Sequence, residues 1–283
     1  MEAVGEFLRA YSTLFGGIGI SCLLALSIWV TLYAGQLTLG NAAFMGVAAY
    51  TAALLTLKAQ WPFPVALLAG AAAATALSLP LGLIVFRLRG VYLAIATLAF
   101  GEMVRIVILA LPITGRGQGL NGIPPKTSVA AVAYVLARVR VSTLGRAWAA
   151  IREDELAAAA NGIAVRRYTL AAFVIGAAVA SWAGGLSAHQ NFSIDPGQFG
   201  FSTAVQILVM AVVGGIPNVL GPLLGAALLT ALPELLRFLR EYRDIFQGAI
   251  LILVIAYLPR GLITLFDLAR TRRLMRIGQA DVA

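Results

Sequence analysis

Charge is scarce in this chain. Only 12% of its 283 residues are Asp, Glu, Lys or Arg, about half the share usual in a soluble domain, which excludes a water-soluble globule with a fully solvated charged surface. Histidine and cysteine are scarcer still, since His189 and Cys22 each stand alone. One cysteine excludes an intrachain disulfide and a thiolate metal framework, and one histidine without clustered ligands offers no metal site. No cofactor is expected either. Cys22 lies within an apolar stretch and reads as a small packing residue. The only lysines are Lys58 and Lys126, and neither follows a glycine, so no G-x-x-x-x-G-K-[ST] phosphate loop exists. If the chain works by ATP, another polypeptide hydrolyses it. The same shortages leave a membrane-embedded enzyme without parts.

What the chain has instead is apolar length. Hydrophobic residues make up 60% of it, and its mean hydropathy is +0.91. No charged side chain falls between Arg9 and Lys58, Lys58 and Arg87, Arg167 and Asp195, or Asp195 and Glu234. A membrane span needs about 20 such residues. The pattern predicts spans at 14–34, 40–57, 63–86, 91–111, 168–188, 202–216, 219–233 and 245–258, with a further short span within 126–144. The run at 14–34 is too long for a signal-peptide core and lacks a small-residue cleavage site, so it reads as a retained first span. The expected fold is therefore all-α: a single polytopic bundle of about 8–9 spans over 1–283, with membrane lipid as its surroundings and no nucleic-acid partner.

The net charge of +9 is mostly arginine, and its placement is informative because positive charge near span ends resists translocation. With a span inside 126–144, one side collects Arg87, Arg89, Arg138, Arg140, Arg146, Arg152, Arg166, Arg167, Arg260, Arg270, Arg272, Arg273 and Arg276. The other holds Arg9, Lys58, Arg116, Lys126, Arg237, Arg240 and Arg243. The richer side is the cytoplasmic one, which places the N-terminus outside and a basic tail, 260–283, inside.

On that inner side the stretch AWAAIREDELAAAANGI, 147–163, is made of strong helix formers and ends on Asn161 and Gly162, a C-terminal stop. Trp148, Ile151, Leu156, Ala159 and Ala160 fall in one arc at 100° per residue, beside Arg152 and Glu155, while Glu153 and Asp154 mark the other face. Two readings stay open. A helix lying on the leaflet would carry lysine and arginine on its polar face, whereas this one turns acids toward an anionic surface, which favours a protein partner.

REDELAAAANGI followed by VRRYTLAAFV resembles the cytoplasmic coupling segment of ABC importer permeases, and more narrowly that of the branched-chain amino-acid (Liv-type) permeases. GQLTLGNAAFMGVAAYTAALL (35–55), RLRGVYLAIATLAFGEMVRIV (87–107), TGRGQGLNGIPP (114–125), QILVMAVVGGIPNVLGPLLGAALLTALPELLR (206–237) and LPRGL (258–262) follow in the family's order and cover most of the chain. The resemblance implies a pore-forming subunit of the bacterial inner membrane. It would pair with a second homologous permease, rest on two ABC ATPase subunits and receive solute from a periplasmic binding protein. The coupling segment, 145–167, would dock the ATPase through Arg152, Glu153, Asp154, Glu155, Ala157, Ala158 and Gly162. Two departures stand out: Glu155 comes one place early, with Leu156 in the acidic slot, and the stretch from Pro125 to Gly145 is shorter than the family pattern.

Other residues carry alternatives. Glu102 and Arg105, three apart on a helix in the fourth span, share a face; they are either a structural ion pair or part of the solute path. Asn121, in a glycine-rich outer loop, either presents amides to a carboxylate or simply turns, and the same holds for Gln36 and Asn41. His189 reads as an interfacial polar tip or an outer vestibule residue, and Asp195 as an external turn. Gly214, Gly215, Gly221 and Gly225 read as close helix packing or as a gating hinge, and packing is the favoured reading. Against the importer stands an autonomous secondary transporter or channel, which would want a coupling carboxylate at membrane depth, where Glu102 is the acidic candidate.

Overall fold

The computed structural model describes residues 2–115, 119–121, 143–191, 193–235 and 248. Within these, the chain forms α1 (Glu2–Tyr33), α2 (Asn41–Leu57), α3 (Phe63–Val85) and α4 (Val91–Ala110), then α5 (Thr143–Glu153), α6 (Glu155–Ala160), α7 (Val165–Gln190), α8 (Phe201–Gly214) and α9 (Leu220–Leu235). Two short strands, β1 (Leu120–Asn121) and β2 (Ser193–Ile194), pair antiparallel, Leu120 opposite Ile194 and Asn121 opposite Ser193.

Leu14–Tyr33, Phe63–Val85, Val91–Ala110 and Val165–Gln190 are long and apolar enough to cross a membrane. In hydrocarbon every backbone group needs an internal partner, and the α-helix supplies them along its own length. Asn41–Leu57, Phe201–Gly214 and Leu220–Leu232 are shorter apolar helices; at 1.5 Å per residue the 14 residues of α8 extend only about 21 Å. The span expected at 245–258, apart from residue 248, that within 126–144, apart from 143 and 144, and the basic tail lie outside the described residues. The first helix starts at Glu2 rather than at residue 14.

α7 is the centre of the bundle and packs against α1, α2 and α3. About two thirds of its apolar stretch is buried, against one third for α3 and α4, which turn exposed rows of large apolar residues such as Leu68, Leu79, Tyr92, Ile95 and Ile106 to their surroundings. Small residues let the backbones approach closely. A Cβ on Gly176 would sit 2.7 Å from the Ser27 carbonyl oxygen, one on Gly70 2.7 Å from that of Ala48, and one on Gly184 would overlap the Met45 carbonyl. The glycine-rich run behaves the same way: Gly214 lies against Gly221, and Gly225 against the Met210 carbonyl, so α8 and α9 form a tight hairpin. Its turn is pinned to α1, where Trp29 Nε1 donates to the Ile216 carbonyl at 2.8 Å. Phe173 meets Phe44 and Phe86 edge-on, both at 5.4 Å between centroids, an arrangement worth about 0.5–1.5 kcal/mol per pair beyond area burial.

Candidate functional site

The stretch at 143–163 is two helices, where the sequence suggested one rod. Asp154 leaves helical geometry (φ −155°, ψ 113°) and its carboxylate accepts from the amides of Leu156 at 2.8 Å and Ala157 at 3.0 Å. The cause is local: a short acidic side chain competes with the helix for its own backbone donors and so prefers the N-cap. α6 then closes on a Schellman turn, with the Ile163 amide donating to the Ala158 carbonyl at 3.1 Å and the Gly162 amide to that of Ala159 at 3.0 Å. Gly162 supplies the required positive φ, +81°.

The break divides the expected apolar arc. Trp148 (1% exposed), Ile151 and Ala158 are buried, but Leu156 is 78% exposed, and Ala157, Ala159 and Ala160 are exposed with it. Nothing stands within 4 Å of where a Gly162 side chain would begin. Glu153 and Asp154 face outward as well. Among the residues expected to dock a partner, Glu153, Asp154, Ala157 and Gly162 thus share an open surface with Leu156. Arg152, Glu155 and Ala158 do not.

Those three and their neighbours tie the segment to one end of the bundle. Trp148 Nε1 donates to the Tyr168 carbonyl of α7 at 2.8 Å. The Arg152 guanidinium stacks over the Tyr33 ring, 5.3 Å from its centroid, and reaches Glu153 at 3.4 Å. Gly35, at φ +77°, lies against the Arg152 backbone. Arg89 pairs with Glu155 at 3.2 Å, and Arg166 Nη2 donates to the Leu83 carbonyl at 3.4 Å. Nothing in the sequence signalled the role of Tyr33; Arg89 was marked only as one of the arginines of the richer side, and Leu156 fell in the apolar arc and in the family's acidic slot.

Behind this segment the chain from 34 to 40 turns inward instead of running over the surface. Thr38 is fully buried and donates to Thr31 Oγ1 at 3.2 Å, and the Leu39 amide donates to Thr97 Oγ1 of α4 at 2.9 Å. Asn41, 3% exposed, donates from Nδ2 to Ser27 Oγ at 2.7 Å; it is a buried structural amide. Gln36 bonds through its main-chain amide to the Thr31 carbonyl at 2.9 Å.

At the far end of α7 a second segment, 193–200, also turns in. Asp195 caps its first turn by accepting from the Gly197 amide at 2.6 Å. Phe199 is 1% exposed, edge-on to Tyr50 at 5.8 Å. Glu102 and Arg105 receive the segment on α4: Arg105 Nε donates to Glu102 Oε2 at 2.7 Å, and Glu102 Oε1 accepts from the Phe201 amide at 2.8 Å. The carboxylate therefore joins two helices by capping α8, with its negative charge on the positive end of that helix. Asn121 pairs with Ser193 through β1 and β2. His189 is fully buried rather than an interfacial tip, because its ring packs edge-on to Phe63 at 4.6 Å and Nδ1 meets the Gly185 carbonyl at 2.7 Å. No group of three or more His, Cys, Asp or Glu side chains is placed to hold a metal among the described residues.

Residues 11–129 and 126–255 match the family described as the permease component of the branched-chain amino acid transport system. The chain is 33% identical to the high-affinity branched-chain amino acid transport system permease protein LivM of Escherichia coli K12 over 87% of its own length and 66% of that protein's. It is also 33% identical to LivM of Salmonella typhimurium, over 93% of its length and 70% of the relative's. LivH of the same Salmonella strain is 35% identical over 44% of this chain and 41% of its own. The chain thus spans about two thirds of the length of the LivM proteins it matches. No solved structure matches it. With the apolar helices described above, these matches make the protein a multi-pass membrane permease component rather than an enzyme, and the chain belongs to the family of branched-chain amino acid transport system permease components.

Proposed function

We propose that this chain is one of two permease subunits of an ATP-binding-cassette importer of the inner membrane, forming part of the path for branched-chain amino acids. Separate ATPase subunits drive it and a periplasmic binding protein supplies it. The observation that carries this reading is the segment 143–163, fixed to the bundle by Trp148, Arg152 and Glu155 while Leu156, Ala157 and Gly162 remain open. A surface that is braced behind and presents one projecting leucine among small residues in front suits a rigid docking contact: the partner seats on Leu156 and approaches the backbone closely, and its displacement is passed on rather than absorbed. The side bearing this segment is then cytoplasmic.

Further support comes from the relatives, which include both LivM and LivH permease proteins and so make a second, homologous permease the natural partner. The competing reading, an autonomous transporter, needs a carboxylate at liberty within the membrane; both oxygens of Glu102 are engaged, one by Arg105 and one by the Phe201 amide. The test is uptake by proteoliposomes holding this chain, the second permease, the ATPases and the binding protein. Leucine, isoleucine and valine are expected to accumulate only with ATP. Preference for amides or urea would overturn the substrate, and uptake by this chain alone would overturn the importer.

A further inference from the structure

The two inward-turning segments enter from opposite ends of the bundle. Segment 34–40 lies at the end where the coupling segment joins α7, and segment 193–200 follows the other end of that helix. Both stop on α4. The Leu39 amide bonds to Thr97 Oγ1 and the Phe201 amide to Glu102 Oε1. These acceptors stand five positions apart, about 7.5 Å along one helix. Each is a main-chain donor held by a side chain from a distant part of the sequence, and each is braced. Thr97 is fully buried, and a side chain on Gly40 would meet its Cβ at 3.6 Å. Glu102 is held by Arg105, and a Cβ on Gly200 would lie 3.1 Å from Arg105 Cδ and 3.2 Å from Glu102 Oε1.

The inner segment is itself held by the coupling segment, through Tyr33 under Arg152 and Gly35 against the Arg152 backbone. A continuous series of close contacts therefore runs from Arg152 through Tyr33 and Gly35 to Leu39, across α4 from Thr97 to Glu102, and on to Gly200 and Phe201 at the start of α8.

We propose that α4 is the tie that carries movement of the coupling segment to α8, with Thr97 and Glu102 as its two positioning residues. The proposal rests on the importer reading. A helix is stiff along its axis, and an amide bonded to it follows its displacement; among the described residues the α8–α9 hairpin otherwise packs chiefly on α1. Thr97→Val keeps the shape of the side chain and removes the acceptor for Leu39. Thr97→Ser keeps the acceptor. Glu102→Gln keeps an oxygen for Phe201 but cannot accept from Arg105 on its other side, and Glu102→Ala removes both bonds.

The test is ATP hydrolysis and leucine uptake measured together in proteoliposomes holding the whole complex, normalised to assembled complex recovered by size exclusion. In Thr97→Val and Glu102→Ala, leucine moved per ATP hydrolysed is expected to fall about fivefold or more while binding-protein-stimulated hydrolysis persists. Thr97→Ser restores the ratio, and Glu102→Gln lies between. Joining the two losses in one chain should lower the ratio little beyond either alone, because both interrupt one path. An unchanged ratio in Thr97→Val and Glu102→Ala, or hydrolysis and uptake falling in step in both, refutes the tie. A wild-type complex with no ATP-dependent uptake refutes the importer reading, and the tie falls with it; a coupled wild type with unchanged variants refutes the tie alone.

Discussion

Replacing Trp148 tests what holds the segment 143–163 in place. The side chain is 1% exposed and its indole N–H donates to the Tyr168 carbonyl at 2.8 Å. Trp148→Ala removes that bond and leaves a large void, a change that costs about 3–5 kcal/mol in a packed core. The attachments through Arg152 and Glu155 are weaker. The Arg152–Tyr33 stack contributes about 0.5–1 kcal/mol at a partly exposed site, and Arg89–Glu155, with side chains 78% and 37% exposed, about 0–1 kcal/mol. Losing Trp148 therefore outweighs those two contacts together and leaves the buried Ile151 and Ala158 to hold α5 and α6, so the segment should open locally while α1–α4 and α7 stay packed. Trypsin reports this directly, since Arg146, Arg152 and Arg166 fall in or beside the segment. Where cleavage follows the open population, a loss of about 3 kcal/mol raises the rate by roughly a hundredfold or more. Trp148→Phe keeps most of the ring and loses about 1 kcal/mol with the hydrogen bond, roughly a fivefold rise. Should Trp148→Ala be cut no faster than wild type, the anchoring role is wrong.

Asp154→Ala removes the cap of α6 and should destabilise that helix by about 1 kcal/mol, read as faster hydrogen exchange at Leu156 and Ala157, while Asp154→Asn retains slow exchange. Gly184→Leu forces a side chain into the Met45 carbonyl, so little assembled complex should be recovered, with a sharply lowered melting temperature in any that is; overpacking of this kind costs about 1–3 kcal/mol or more. Arg89→Ala should leave thermal stability within about 1 kcal/mol of wild type, and a double-mutant cycle with Glu155→Ala measures the pair itself. Gly162→Ala places an alanine at positive φ and should cost α6 about 1–2 kcal/mol, seen as reduced ATP-driven uptake with normal membrane insertion.

The long helices were legible because the membrane imposes length and excludes charge. The expected 63–86 and 91–111 became Phe63–Val85 and Val91–Ala110. Close packing at Gly214, Gly221 and Gly225 was legible for a related reason, since apolar surroundings leave small residues as the means of approach. The break at Asp154 was not, because helix formers surround it and only the capping geometry of its carboxylate decides the outcome. Burial of His189 escaped notice because a lone polar residue near a span end looks interfacial until its neighbour Phe63 is known. The bonds from Leu39 to Thr97 and from Phe201 to Glu102 join residues 58 and 99 apart in sequence, and no local periodicity encodes such pairings.

Sidedness of the coupling segment is the most direct test of its assignment as the docking surface. In a chain whose own cysteine has been replaced by Cys22→Ala, Leu156→Cys places a thiol at a position 78% exposed. A membrane-impermeant maleimide should label it in inside-out vesicles and not in right-side-out ones, and addition of the ATPase subunits should protect it. Labelling from the outer face, or equal labelling with and without the ATPases, would contradict the assignment.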